Sequence, residues 1–401
     1  MNIPSAAHPP VERTTACARP AVCSARRIVV KLGTRVLTHA NGHLALARLF
    51  SVVEEVGRLR DAGREVIMVS SGAVGLGRAA LGMTQTPAEL AERQACAAVG
   101  QTRLMGLYEA GFSRLGVVTG QVLLTESDFD DRVRYLNVRN TLLTLLQKGV
   151  VPIINENDAV SVEELAWREC AEDARPVFGD NDRLSALVAT RLDADLLVLL
   201  TDVDGLYDRD PQANAGATLV SVVDADDAND SGVQAGESTS GAGRGGMRSK
   251  LEAAVIAARS GCHAVIASGR RADALARVMA GDTEGTWVPA KPGIPARHRW
   301  IAWAAAPRGA LHLDQGAVRA LRERGASLLA AGVQRVEGRF RPGEVVELRA
   351  PNGQRVGRGI IGCDADVARK WCAGERPPYA RNHHALVHRD QQVLDPHQEK
   401  P

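Results

Sequence analysis

The sequence predicts an α/β chain in which a mainly parallel sheet is covered by helices on both faces, a three-layer sandwich, with a small β-rich domain at the C-terminus. Three observations predict it. Short β-branched runs alternate with helical periodicities through most of the chain, the rhythm of βα units. Apolar residues make up 45% of the composition and aromatics only 3%, so the interior is built from Ala, Val, Leu and Ile, which pack closely between helix and sheet. At 401 residues the chain exceeds what one core usually organises, so a large and a small domain are expected.

Ile28 to Lys31 is a β-branched run ended by Gly33, a buried strand entering a turn. Leu49, Val52, Val53, Val56 and Leu59 recur three and four residues apart and line one face of a helix, with Gly63 as its stop. Val66 to Val69 is the next strand and runs into Ser70-Ser71-Gly72. Thr86-Pro87-Ala88-Glu89 has capping-box spacing with Pro at the first helical position, so a helix is expected from there to about Ala110. Val117 to Leu124 is a strand. Asp130 and Asp131 precede a helix through Lys148 whose acidic start and basic end suit the macrodipole, and Gly149 stops it.

Val150 to Asn155 is again a strand, followed by a helix from Asp182 to Arg191, a strand from Leu196 to Leu200, a helix from Gly246 to Ser260 and a strand from Ala264 to Ala267. Pro289 to Arg299 is Pro-rich and basic and reads as a linker. Beyond it, short runs such as Val345 to Leu348 and Ala385 to His388 lie among the turns Pro342-Gly343 and Asn352-Gly353, a β-rich pattern. The expected division is a disordered tail over 1–25, a large domain over 26–290, a linker over 291–299 and a β domain over 300–395.

The formal net charge of +2 argues against nucleic acid as the main partner, but its distribution is uneven. From Arg297 to Pro401 there are 18 Lys plus Arg against 11 Asp plus Glu, a net +7, which leaves −5 for the rest. Seven cysteines form no C-x-x-C pair, and their odd number fits a reducing compartment better than a disulfide framework. The Pro-, Ala- and Arg-rich N-terminus has no apolar core of the kind a secretory signal requires, and no stretch approaches the ~20 apolar residues that span a bilayer. A cytoplasmic location without membrane attachment is therefore expected.

In a parallel sheet, ligands bind beyond the C-terminal ends of the strands, and the chemically unusual residues fall there. Lys31 ends a buried strand, where an ammonium is expensive unless paired. Ser71-Gly72-Ala73 is a turn of small residues that lets a ligand approach the backbone. Asn155-Glu156-Asn157-Asp158, Gly179-Asp180-Asn181-Asp182 and Thr201-Asp202-Val203-Asp204-Gly205 come next along the chain. Gly245-Gly246-Met247-Arg248-Ser249-Lys250 opens a helix and offers N–H donors to an anion, without being a Walker A loop. Lys250 lies in the first turns of that helix, where the dipole disfavours a cation unless an anion is near. From residue type alone Asp182 is equally a helix N-cap, and Ser71, Asn181 and Asp158 equally turn formers.

Taken in this order, the six segments resemble the amino acid kinase family, and within it the glutamate 5-kinases; the likeness covers roughly Ile28 to Val288, and the C-terminal part resembles a PUA domain. The resemblance implies transfer of a phosphoryl group from ATP, with Mg²⁺, to the side-chain carboxylate of L-glutamate. It implies catalytic roles for Lys31, Lys250 and Asp182, the aspartate holding both lysines. Glutamate falls to Ser71, Gly72, Ala73, Asp158 and Asn181, with Asp158 taking the α-ammonium. ATP falls to Lys31, Thr201, Asp202, Arg244, Gly245, Gly246, Met247, Arg248, Ser249 and Lys250. The resemblance also implies a homo-oligomer, inhibition by proline through a segment like Glu126 to Asn140, and a downstream glutamyl phosphate reductase.

Two departures from the family pattern stand out. Arg244 and Arg248 replace smaller hydroxyl residues, and the stretch between Asp158 and Gly179 is long, polar and charged in its middle.

Two other readings compete. Gly75-Leu76-Gly77-Arg78-Ala79-Ala80 satisfies the dinucleotide-binding pattern G-x-G-x-x-A, but the Ser-Ser-Gly turn separates it from the strand, and no acidic residue ends a second strand about twenty positions on. The basic C-terminal domain raises RNA binding, although stacking aromatics such as Phe340 and Tyr379 are few. Another carboxylate or carbamate kinase of the same family is the alternative within the enzyme class.

Overall fold

The computed structural model describes residues 18–39, 43–85, 87, 89–125, 127–130, 132–160, 181–211, 213–214, 216–227, 246–291, 301, 307–374 and 385–395. Its first sheet has seven strands: β1 (Arg27–Leu32), β2 (Glu65–Ser70), β3 (Thr119–Leu124), β4 (Val151–Glu156), β5 (Leu196–Thr201), β6 (His263–Ser268) and β7 (Thr286–Val288), in the order β3-β4-β2-β1-β5-β6-β7. All pairings are parallel except β6 with β7, an edge strand that sequence periodicity did not announce.

Because strand side chains alternate between faces, one sheet feeds two cores. Ile28, Val30 and Leu32 of β1 pack with α1 (Leu46–Asp61), α3 (Leu90–Phe112) and α7 (Ala274–Met279). On the other face Val29 packs with α4 (Arg132–Gln147), α5 (Asn181–Arg191) and α6 (Met247–Arg259). The three-layer sandwich is thus set by strand parity. The stop glycines Gly63, Gly149 and Gly261 all have positive φ, as expected after helix ends.

Several local expectations change. The helix expected from Thr86-Pro87 begins at Leu90 with Glu89 as its extended N-cap, so Pro87 precedes the helix instead of opening it. A separate helix, α2 (Ala73–Ala80), fills the Gly-rich stretch after β2. It carries Gly75 and Gly77 inside helical turns, away from the strand end where a dinucleotide fingerprint belongs.

Residues 18–25, expected as part of a disordered tail, are packed: Val22 and Ala25 join the core, and the buried Arg19 guanidinium donates to the carbonyls of Ser221, Thr283, Glu284 and Gly285. Cys96, Cys262, Cys363 and Cys372 are free thiols.

The C-terminal region forms its own six-stranded sheet from β8 (Gly309–Leu313), β9 (Leu328–Leu329), β10 (Val333–Gly338), β11 (Val345–Arg349), β12 (Arg355–Ile361) and β13 (Ala385–Leu394), ordered β10-β8-β11-β12-β13-β9. Helices α8 (Gln315–Arg324) and α9 (Ala365–Cys372) accompany it. Leu311, Leu313, Val346, Leu348, Leu386 and Val387 are in its core. Among the described residues, no helix is long and apolar enough to cross a membrane.

Candidate active site

The site is built at the C-terminal ends of β1, β2, β4, β5 and β6. Lys31 is in register with Val69 of β2 and Leu199 of β5, and its parity matches that of Val29, so its side chain belongs to the α5–α6 face. There, both helices present their first turns. Asp182 of α5 is fully buried and Lys250 of α6 is 8% exposed. Lys31 Nζ lies 2.5 Å from Asp182 Oδ1, and Lys250 Nζ lies 3.0 Å from Asp182 Oδ2.

One carboxylate therefore serves two ammonium groups, leaving the triad with a net positive charge. Burial alone would raise the Asp182 carboxyl, but the charges of Lys31 and Lys250 and their hydrogen bonds hold it below its ordinary value. The aspartate is the anion that the dipole argument for Lys250 required, and its own place in the first turn of α5 suits a negative charge. The first turns of α5 and α6 both lie beside this triad, and helix N-termini favour an anion.

The second cluster joins β2, β4, α3 and α5. Asn181 Nδ2 donates to Ser71 Oγ and to Asn155 Oδ1, both at 3.0 Å. Asn155 Nδ2 donates in turn to Gln101 Oε1 at 2.8 Å. Gly72, with φ of +104°, bends the chain between β2 and α2 in the left-handed region that glycine tolerates, and Ala73 starts α2. Asp158 sits half-buried on the turn after β4.

Two close contacts brace this loop. A Cβ at Gly100 of α3 would stand 1.7 Å from the Ala73 carbonyl, and one at Gly77 would stand 1.8 Å from the Cys96 carbonyl, so α2 and α3 cross with backbone against backbone. Farther along α3, the buried Tyr108 hydroxyl meets Ser70 Oγ at 2.7 Å. Burial pushes the Tyr108 phenol up to about 12, against the smaller opposing pull of its hydrogen bond to Ser70.

A third cluster adjoins the end of β5. Asp202 Oδ2 is 3.3 Å from Arg35 Nη1 and 3.9 Å from Arg270 Nη2, and Thr201 Oγ1 donates to Asp202 Oδ1. Burial would raise the Asp202 carboxyl, but the Arg35 guanidinium holds it low. Gly246 is the extended N-cap of α6, with Met247 packed on the core and Ser249 half-buried. Arg248 points outward, 83% exposed, and pairs with Glu252 one turn on, apart from the lysine triad. Arg244 and Gly245 lie outside the described residues, as do Gly179, Asp180, Glu126, Asp131 and the stretch 161–178.

Sequence reasoning did not single out Gln101, Arg35 or Arg270. Gln101 carries no local signal, being one polar residue within a helix. Two consecutive arginines after a strand end were a usable signal for Arg270.

A model of the amino acid kinase family matches residues 26–268, and one of the PUA domain matches residues 309–376. The chain is 46% identical over 375 residues to a glutamate 5-kinase of Synechococcus sp., covering 92% of this chain and 98% of that relative. It is 44% identical over 389 residues to a glutamate 5-kinase of Pseudomonas putida, covering 94% and 100%. With a glutamate 5-kinase of Marinomonas sp. it shares 44% identity over 344 residues, covering 86% and 89%.

Proposed function

The chain belongs to the amino acid kinase family, among its glutamate 5-kinases, and from that premise we propose how its strand ends divide the reaction. The activity is ATP-dependent phosphorylation of the side-chain carboxylate of L-glutamate to L-glutamyl 5-phosphate, the first step of proline biosynthesis. The observation that carries our division of labour is the placement of Lys31 and Lys250 on one buried carboxylate.

A glutamate side chain has a pKa near ~4.3, so the attacking carboxylate is already ionised at neutral pH and needs no general base. The barrier is repulsion between that carboxylate and the polyphosphate. In this reading Lys31 and Lys250 stabilise the charge that develops on the migrating phosphoryl oxygens, and Asp182 holds both ammonium groups in place without touching substrate. The γ-phosphorus breaks its bond to the bridging oxygen of ADP as a glutamate carboxylate oxygen attacks in line. Ser71, Gly72, Ala73, Asn181 and Asp158 hold glutamate, with Asp158 facing its α-ammonium. The first turn of α6 and the Thr201-Asp202 turn receive the nucleotide.

Among the described residues, no cluster of three or more His, Cys, Asp or Glu side chains forms. Mg²⁺ commonly reaches such sites on the substrate phosphates with several of its own waters, and no side chain is assigned to it. When bound it neutralises phosphate charge.

Finer expectations rest on the same reading. Inhibition by proline through the segment from Glu126 to Asn140 belongs to this reading; in its support, Arg191, at the far end of the helix that starts with Asn181 and Asp182, donates to the Phe129 carbonyl at 2.9 Å and stacks over Tyr135. The acyl phosphate product is labile in water, which favours direct consumption by a glutamyl phosphate reductase. A homo-oligomer belongs to the same reading, as does a division into a kinase domain to residue 290, extended upstream to residue 18, a linker over 291–299 and a PUA domain over 300–395. Nothing among the relatives or the described residues favours the RNA-binding alternative.

The test is ATP turnover with glutamate, aspartate, N-acetylglutamate and carbamate, with hydroxylamine trapping the acyl phosphate. Glutamyl hydroxamate is expected with glutamate alone. Turnover of another acceptor in preference to glutamate would sink the assignment.

A further inference from the structure

Gln101, Asn155, Asn181 and Ser71 form a chain of polar groups whose donor and acceptor directions are set at one point. Asn155 is 2% exposed, and its amide has an oxygen that accepts and a nitrogen that donates. The backbone N–H of Glu156 donates to Asn155 Oδ1 at 2.9 Å, and a backbone N–H can do nothing but donate. The Asn155 oxygen is thereby fixed toward Glu156, and its nitrogen must find an acceptor elsewhere. Gln101 Oε1 supplies it at 2.8 Å.

Asn181 then meets only the oxygen of Asn155, so it turns its nitrogen inward at 3.0 Å. Ser71 does not decide this orientation, because a hydroxyl rotates to serve either end of an amide. The outcome is that Asn181 Oδ1 is buried without a hydrogen-bond partner among the described residues, as is Gln101 Nε2 at the other end.

A buried acceptor left open is costly in the empty protein and useful when a ligand brings a donor. The α-ammonium of an amino acid has three donors and no acceptor, so it requires an oxygen at that position. We infer that Gln101 is a positioning residue of the glutamate site: through Asn155 it keeps Asn181 Oδ1 turned away from the Asn155 amide, as an open acceptor for the substrate's α-ammonium.

Without Gln101, Asn155 Nδ2 is left buried with no acceptor, and any rotation that finds it one withdraws Oδ1 from the Glu156 N–H and from Asn181, which then has nothing to hold its nitrogen inward. Gln101 follows Gly100, the point where α3 crosses α2 so closely that an added Cβ would meet the Ala73 carbonyl at 1.7 Å.

The inference rests on the reading of Asn181 as a glutamate ligand, and the experiment separates the two. Full-length enzyme is assayed by hydroxamate trapping with glutamate and with glutarate, the same dicarboxylate lacking the α-ammonium. Gln101→Met is expected to lower kcat/KM for glutamate about tenfold through KM, leaving glutarate turnover and the ATP KM within about twofold. Gln101→Glu, which keeps the acceptor, should recover most of the loss.

Equal losses on both dicarboxylates would reduce Gln101 to a packing residue, and unchanged glutamate kinetics would also overturn the inference. Should Gln101→Met not fold, as judged by circular dichroism, Gln101→Leu is read in the same way. A wild-type enzyme that treats the two dicarboxylates alike would instead remove the Asn181 assignment, and this inference with it.

Discussion

Lys31 and Lys250 stand on opposite oxygens of the Asp182 carboxylate, at 2.5 and 3.0 Å, although they come from the first strand and a helix far along the chain. If each ammonium stabilises the migrating phosphoryl group, removing one should act on the transition state more than on binding. Lys31→Met and Lys250→Met are each expected to lower kcat by about 10²–10³. Steady-state kinetics beside thermal melts checks this. A folded variant with near wild-type kcat would end that lysine's assignment.

Asp182 couples the site to stability. Its carboxyl is held low in the folded protein, so it contributes stability that is complete above the unfolded value of ~3.9 and is lost as pH falls through the lower folded value. Asp182→Asn leaves two buried ammonium groups without their anion and is expected to cost about 3–5 kcal/mol at neutral pH. The gap between wild type and variant should narrow as pH drops below about 4. Urea denaturation at several pH values measures it, and a gap that stays constant into acid would contradict the triad's charge state.

The sequence exposed the strand ends because they violate the local pattern: a lysine closing a buried run at Lys31, and small or polar residues where β-branched ones stop. It exposed the sheet because Val29 and Val30 alternate between two cores while both read as apolar. It could not expose Gln101, since a lone polar residue in a helix has the same local signature whether it faces water or Asn155. Nor could it place β7, whose three residues are too few for a periodicity, or the start of α3, which the capping-box spacing at Thr86 puts too early and the fold puts at Leu90. These features depend on partners distant in the chain.

Tyr108 offers a test at alkaline pH. Its phenol is fully buried against Ser70 and pushed up to about 12 from an ordinary value near 10. The neutral form is favoured in the fold, so its contribution is intact below pH ~10 and lost between there and ~12, on the order of 3 kcal/mol. Tyr108→Phe should cost about 1 kcal/mol at neutral pH and be less sensitive to pH in that window. Melting curves from pH 8 to ~11 compare the two. Parallel curves would contradict the buried ionisation.

Asp202 is held between Arg35 and Arg270 after β5, at the end read as receiving the nucleotide. Asp202→Asn is expected to raise the ATP KM about tenfold with a smaller effect on the glutamate KM. Arg35→Gln separates the causes. If Arg35 acts by orienting Asp202, the double variant should be no worse than Asp202→Asn alone, since contacting residues in one network are not additive. Additive losses would give Arg35 a nucleotide contact of its own.

Two glycines of α3 predict opposite outcomes from the same substitution. Gly106 is exposed with nothing within 4 Å of an added Cβ, so Gly106→Ala should stabilise the protein by about 0.5–1 kcal/mol through helix propensity alone. Gly100→Ala carries the same propensity gain, but its Cβ would stand 1.7 Å from the Ala73 carbonyl, a backbone atom that no rotamer change can move. Relief requires α2 and α3 to separate, and the overpacking costs about 1–3 kcal/mol, enough to exceed the gain. Because Ala73 opens α2 directly after Ser71 and Gly72, that separation displaces the loop that holds glutamate and draws Gln101 away from Asn155. Gly100→Ala should therefore raise the glutamate KM more than the ATP KM. Thermal melts of both variants with saturation curves for each substrate decide it, and a Gly100→Ala protein as stable as wild type with unchanged glutamate saturation would show that the close crossing is not what sets the loop.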